Sequence, residues 1–126
     1  MDYRASLAEI EKTYLGKVYG NGQCAIFVEG VAHAPHTTMW KAGTMVKGQT
    51  ALVPGTAIAT FDSDGKYGNH VDGRSHAAIY ISQSVHGIDV FEQWVGQPVQ
   101  RRTIHFHKGS GKAVNDGDRY SVIGCR

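Results

Sequence analysis

The sequence predicts an α+β fold, with helices first and an antiparallel sheet after them. Apolar residues recur at helical spacing up to about position 32, and short alternating runs bounded by Gly, Asn, Asp or Pro follow Gly48. The two kinds of segment are separated along the chain rather than interleaved, which speaks against a βαβ parallel sheet.

Ser6 to Leu15 carries Leu7, Ile10 and Tyr14 at helical spacing, with Ala8 filling in, and Gly16 closes the segment. A second helix is expected from Gln23 to Ala32. Ala25, Ile26, Phe27, Val28 and Val31 make its apolar surface so continuous that the helix must be buried. Pro35 and the polar run His36-Thr37-Thr38 end it, and Trp40 to Lys47 reads as irregular up to the turn signal Gly48-Gln49. Strands are expected at Thr56–Phe61, His76–Ser82, Ile88–Val95, Arg101–His107 and Tyr120–Gly124.

The 126 residues suit a single domain, 1–126, able to bury a core without disulfide staples. Hydrophobic content of 41% and charged content of 19% are globular values, and the 16 glycines indicate turns rather than disorder. A formal charge of +2 with scattered basic residues lacks the clustered Lys and Arg of a nucleic-acid binder. No run approaches the ~20 apolar residues of a membrane span. The segment Met1-Asp2-Tyr3-Arg4-Ala5-Ser6-Leu7 has no apolar signal core, so the expectation is cytosolic synthesis followed either by residence there or by export along a route without a cleaved signal.

Chemistry concentrates at Tyr19-Gly20-Asn21-Gly22-Gln23-Cys24, a glycine-rich turn that leads into the second helix. A thiol at a helix N-terminus meets unpaired N–H groups and the positive end of the dipole, which favour the reactive thiolate. The other cysteine, Cys125, is penultimate, and no Cys24–Cys125 bridge is expected. A general base for Cys24 is supplied by His76, which opens a strand.

A third, orienting residue follows from the hairpin that Gln83-Ser84-Val85-His86-Gly87 implies. Pairing Ile81 with Ile88 sets Ile79 opposite Val90 and Ala77 opposite Glu92 on one face, and His76 opposite Gln93 on the other. Gln93 would then accept from Nδ1 of His76 and leave Nε2 for Cys24. A slip of one residue would present Glu92 instead. The oxyanion is assigned to the Cys24 backbone N–H and a side chain, Gln23 or Asn21. Tyr67, on a turn-rich loop with Asp62, Asp64 and Asn69, and Trp40 are candidate groove residues, with Trp40 and Trp94 read as core or groove wall.

Two other classes compete. His105-Phe106-His107 and His33-Ala34-Pro35-His36 could together hold zinc for a metal-dependent amidase, although no His-Glu-x-x-His or Cys-x-x-Cys pattern is present. The chain could also be a non-enzymatic α+β binding module in which Cys24 is structural.

Gly22-Gln23-Cys24 opening a helix, His76 opening a strand and a polar residue on the next strand resemble the NlpC/P60 and CHAP peptidases. Over nearly the whole chain, Gly22-Gln23-Cys24, Gly55-Thr56-Ala57-Ile58-Ala59-Thr60-Phe61, His76-Ala77-Ala78-Ile79-Tyr80, Gln93-Trp94 and Asn115-Asp116-Gly117-Asp118 resemble the second family of type VI secretion amidase effectors, which has domesticated relatives in ticks and mites. The resemblance implies a papain-like fold and cleavage of amide bonds in peptidoglycan stem peptides, at the D-alanyl–diaminopimelate cross-link or else the γ-D-glutamyl–diaminopimelate bond. It also implies an antibacterial toxin that passes through a secretion apparatus into a target periplasm and meets a cognate immunity protein, or an extracellular enzyme in a domesticated copy. No metal or organic cofactor is expected.

Overall fold

The structure, a computed structural model, describes residues 2–125; Met1 and Arg126, the ends of the expected segment, lie outside the described residues. Helix α1 (Leu7–Glu9) is capped by Ser6, whose Oγ accepts the Glu9 N–H at 3.2 Å, and it widens into a π-turn over Ile10–Tyr14. Helix α2 (Cys24–Ala32) ends where His33 turns left-handed at φ 55°. Six strands follow: β1 (Trp40–Met45), β2 (Ala57–Thr60), β3 (Ala77–Gln83), β4 (Gly87–Trp94), β5 (Gln97–His105) and β6 (Tyr120–Cys125). They form one antiparallel sheet in the order β1-β6-β2-β3-β4-β5.

Both sheet faces are covered, which is why every residue of β2 is buried. On one face Phe27 and Val28 of α2, with Ile10, pack on Ala57, Ala59, Ala77, Ile79, Phe91 and Ile123. On the other, Ile58, Ala78, Tyr80, Ile88, Val90, Ile104 and Tyr120 form a second cluster closed by Leu52 and Phe106. Burial of this kind contributes about 1.5–3 kcal/mol for each large apolar side chain.

Two expectations need correction. Trp40–Lys47 is not irregular: Trp40–Met45 forms an edge strand on β6, with Trp40 opposite Cys125 and a bulge between Ala42 and Met45. The hairpin register also differs. Ile79 faces Phe91 and Tyr80 faces Val90, with a bulge between Tyr80 and Ser82. This offset of one residue turns Gln93 to the α2 face, beside Phe91, and Glu92 to the opposite face, beside Val90.

Candidate active site

The thiol is positioned by a tight loop. Gly20 and Gly22 have φ of 56° and 88°, conformations open to glycine without a Cβ penalty. Asn21 Oδ1 accepts the Gln23 N–H at 3.0 Å and Tyr19 O accepts the Gly22 N–H at 3.0 Å. Gln23 leaves the loop extended, and Cys24 is the first residue of α2. Its sulfur lies 3.7 Å from the Tyr67 hydroxyl. Cys24 and Cys125 are not bridged.

Gln93 fixes this loop from the sheet. Its fully buried side chain accepts the Tyr19 N–H at 2.8 Å and donates to Tyr19 O at 2.8 Å and Gln23 O at 3.0 Å. The side chain expected to hold the imidazole therefore holds the approach to Cys24 instead.

His76 is 4% exposed, and its backbone is anchored on Thr60: the His76 N–H donates to Thr60 Oγ1 at 2.9 Å and the Thr60 N–H donates to His76 O at 3.0 Å. The ring stands edge-on to Trp94 and Tyr120, with centroid separations of 6.1 and 6.5 Å. Nε2 lies 2.8 Å from Glu92 Oε1. This reverses the expected use of the ring nitrogens: with Nε2 engaged, Nδ1 is the ring nitrogen left for Cys24, and the thiol and the imidazole influence each other's charge.

Glu92 is fully buried and does not stand alone. The Arg102 guanidinium grips it in bidentate fashion, Nε to Oε2 and Nη2 to Oε1, and Gln100 Nε2 donates to Oε2 at 3.0 Å. The register of β4 with β5, Val90 opposite Arg102 and Glu92 opposite Gln100, brings these groups together.

The electrostatics follow from this packing. Burial pushes the Cys24 thiol up, but the hydrogen bond and charge of His76, the Ala77 backbone and the Tyr67 hydroxyl outweigh it, leaving the thiol below its ordinary 9.0. Burial pulls His76 down, yet Cys24 and Glu92 raise it from 6.5 to about 9. Burial raises Glu92, and His76 and Arg102 together bring it from 4.5 to about 2. Tyr67 is held far above its ordinary 10.0 by burial and by Cys24, so it remains a hydroxyl donor. The directions all favour the charged forms: a lowered thiol, a raised imidazole and a lowered carboxyl.

The pair opens into a cleft of about 440 Å³. Gln23, Tyr67, Asn69 and Trp94 line it, together with His70, whose Nε2 pairs with Asp62 Oδ2 at 2.8 Å. Asp64 is a turn residue that accepts the Lys66 N–H at 2.9 Å. Two expected groove residues are placed elsewhere. Asn21 is spent on its turn and is not in the lining, and Trp40 is fully buried, donating to Pro35 O at 2.9 Å and supporting the Tyr67 ring at 4.9 Å. The His105 and His107 rings stand 6.3 Å apart, and among the described residues no three His, Cys, Asp or Glu side chains group to hold a metal. Arg102 escaped the sequence reading. The signal for it was Glu92 itself, a carboxylate next to Phe91 in a strand that the pattern buries, where it needs a cation.

Helices ahead of a six-stranded antiparallel sheet, with a helix-borne thiol beside a sheet-borne imidazole, make this a papain-like α+β protein. The solved structure of type 6 secretion amidase effector 2 (Tae2) superposes with a TM-score of 0.81 and 27% identity, covering 97% of this chain and 94% of that one. The chain belongs to the family described as domesticated amidase effector 2, whose family model matches residues 3–123. It is 35% identical over 119 residues to the type VI secretion amidase effector 2 protein of Salmonella typhi, covering 85% of this chain and 88% of that protein. It is also 41% identical over 88 residues to domesticated amidase effector 2 of Ixodes scapularis, a match covering 69% of this chain and 58% of the tick protein.

Proposed function

We propose that residues 1–126 act as one cysteine amidase domain that cleaves amide bonds in peptidoglycan stem peptides. The observation that carries the reading is Cys24 at the start of α2, in an open cleft, beside a buried imidazole whose Nε2 is held by Glu92 at 2.8 Å. The relatives named as amidase effectors support the substrate class. The thiolate of Cys24 attacks the scissile carbonyl, and the oxyanion that forms is met by the Cys24 N–H, with Gln23 and the Tyr67 hydroxyl at hand in the cleft lining. The His76 imidazolium gives its proton to the leaving amine as the tetrahedral intermediate collapses to a thioester. The neutral imidazole then takes a proton from water, which attacks the thioester and frees Cys24.

The bond proposed is the D-alanyl–diaminopimelate cross-link. The setting is that of an antibacterial toxin, made in the cytosol, carried by a secretion apparatus into a target periplasm and checked by a cognate immunity protein. In a domesticated copy the same chemistry works outside the cell. No helix among the described residues is long and apolar enough to cross a membrane.

The test is digestion of purified peptidoglycan followed by mass spectrometry of the muropeptides. Loss of cross-linked dimers with growth of intact monomers is the expected result, and Cys24→Ala, still folded, should leave the wall intact. Fragments cut between D-glutamate and diaminopimelate would replace the bond assignment. Undiminished hydrolysis by Cys24→Ala would overturn the cysteine mechanism, and binding without hydrolysis by the unmodified protein would leave only a binding module.

A further inference from the structure

Arg102 borders the same cleft without a hydrogen bond to the thiol or the imidazole, and its own bonding is heavily committed. Besides its two bonds to Glu92, Nη1 donates to Asn115 Oδ1 at 3.1 Å, Nη2 donates to Val114 O at 3.4 Å, and the guanidinium lies 5.6 Å over the Trp94 ring. The neighbouring Arg101 shows the contrast: its side chain is 57% exposed and makes one ion pair, to Asp89 at 3.2 Å. Alternation along β5 sends one arginine to water and the other into the site.

The groups facing Glu92 can be named element by element. From the residue just before β3 comes His76, from β5 come Arg102 and neutral Gln100, and from β6 comes the fully buried Tyr120, with Cys24 of α2 behind the imidazole. Of these, only Arg102 carries a permanent positive charge. Burying a carboxylate without such a partner is expensive enough that the group takes up a proton instead. A protonated Glu92 could not support an imidazolium.

From this geometry we infer that Arg102 is a positioning residue for the reaction: it fixes Glu92 against His76 and supplies the charge that lets the carboxylate stand ionised in a dry site. The inference rests on the reading of Cys24 and His76 as the reacting pair. Its consequence has a direction. Without Arg102, Glu92 becomes neutral at a higher pH, the imidazolium loses its anionic partner there, and the pair reverts to thiol and neutral imidazole. The acid limb of thiolate formation moves up, while the alkaline limb stays or rises because a repelling charge has gone.

The experiment compares Arg102→Met, Arg102→Lys, Glu92→Gln and the double variant Glu92→Gln/Arg102→Met. Two readouts are followed against pH: iodoacetamide alkylation of Cys24, resolved by mass spectrometry, and hydrolysis of peptidoglycan. Arg102→Met should lose roughly ten- to a hundredfold in kcat with KM little changed, less than the ~10²–10⁴ that general acid–base help supplies in all. Its acid limb should move up by about one pH unit or more, and Arg102→Lys should restore most of that movement. The double variant should be no slower than Glu92→Gln, since Arg102 acts through Glu92.

Superimposable pH profiles in Arg102→Met, or a double variant that is additively slower than Glu92→Gln, would overturn the inference. If Arg102→Met does not fold, the double variant, free of the buried charge, still decides. Alkylation needs no substrate. A shifted alkylation profile in a protein that leaves peptidoglycan uncut therefore keeps the Arg102 inference and removes the substrate assignment.

Discussion

Replacing Gln93 with leucine separates the two positioning tasks carried by neighbouring residues of β4. The variant removes three hydrogen bonds, two to Tyr19 and one to Gln23 O. The losses are unequal. Tyr19 O keeps the Gly22 N–H at 3.0 Å and Gln23 O keeps the Phe27 N–H at 3.3 Å, so each carbonyl loses one of two donors. The Tyr19 N–H is left with no replacement from the leucine. An orphaned donor costs about 1–3 kcal/mol and each lost second bond about 0.5–1.5 kcal/mol, so the destabilisation should fall at roughly 2–6 kcal/mol. For a domain of this size 1 kcal/mol corresponds to roughly 3–5 °C in Tm. Urea unfolding measures the stability term, and the pH profile of hydrolysis measures the chemistry. Because Gln93 holds the Cys24 loop and leaves Glu92 against His76, kcat should fall while the alkaline limb, set by an imidazole that Cys24 and Glu92 together raise to about 9, stays above 6.5. A variant as stable as the parent, or one whose alkaline limb drops toward 6.5, would refute this account of Gln93.

Two further outcomes follow from the same packing. Glu92 is depressed from 4.5 to about 2 in the folded protein, so its contribution is complete above pH 4.5 and lost as pH falls toward about 2. Urea midpoints taken down that range should fall in the parent and flatten in Glu92→Gln; parallel curves would contradict the assignment. Trp40→Phe removes the donor to Pro35 O and opens a gap beneath Tyr67. It should cost about 1–3 kcal/mol in unfolding free energy while leaving KM unchanged, because Trp40 does not line the cleft. A raised KM without loss of stability would return Trp40 to the groove.

What could be read from the sequence was whatever depends on local pattern. The apolar run after Gln23 gives α2 and hence the place of Cys24, and alternation gives four of the strands near their observed bounds and the second half of β5, which begins at Gln97 rather than Arg101. Strand β1 left no such mark: five of its six residues are exposed, and it exists through backbone pairing with β6, some eighty residues away. The identity of the residue behind His76 depended on register, which the bulge between Tyr80 and Ser82 helps to set and no local pattern reports. A difference of one residue exchanged Glu92 for Gln93 and, with it, Nε2 for Nδ1. Arg102 became visible only once β5 had been paired with β4.

The pairing of Cys24 with His76 is tested most directly by the rate of Cys24 alkylation as a function of pH, in the parent and in His76→Ala. The parent should titrate below the ordinary thiol value of 9.0, and His76→Ala should move the midpoint back to 9.0 or above, since burial then acts on the thiol without the imidazolium. Coincident curves for the two proteins would show that the sulfur owes nothing to the imidazole, and the proposed chemistry would have to be abandoned.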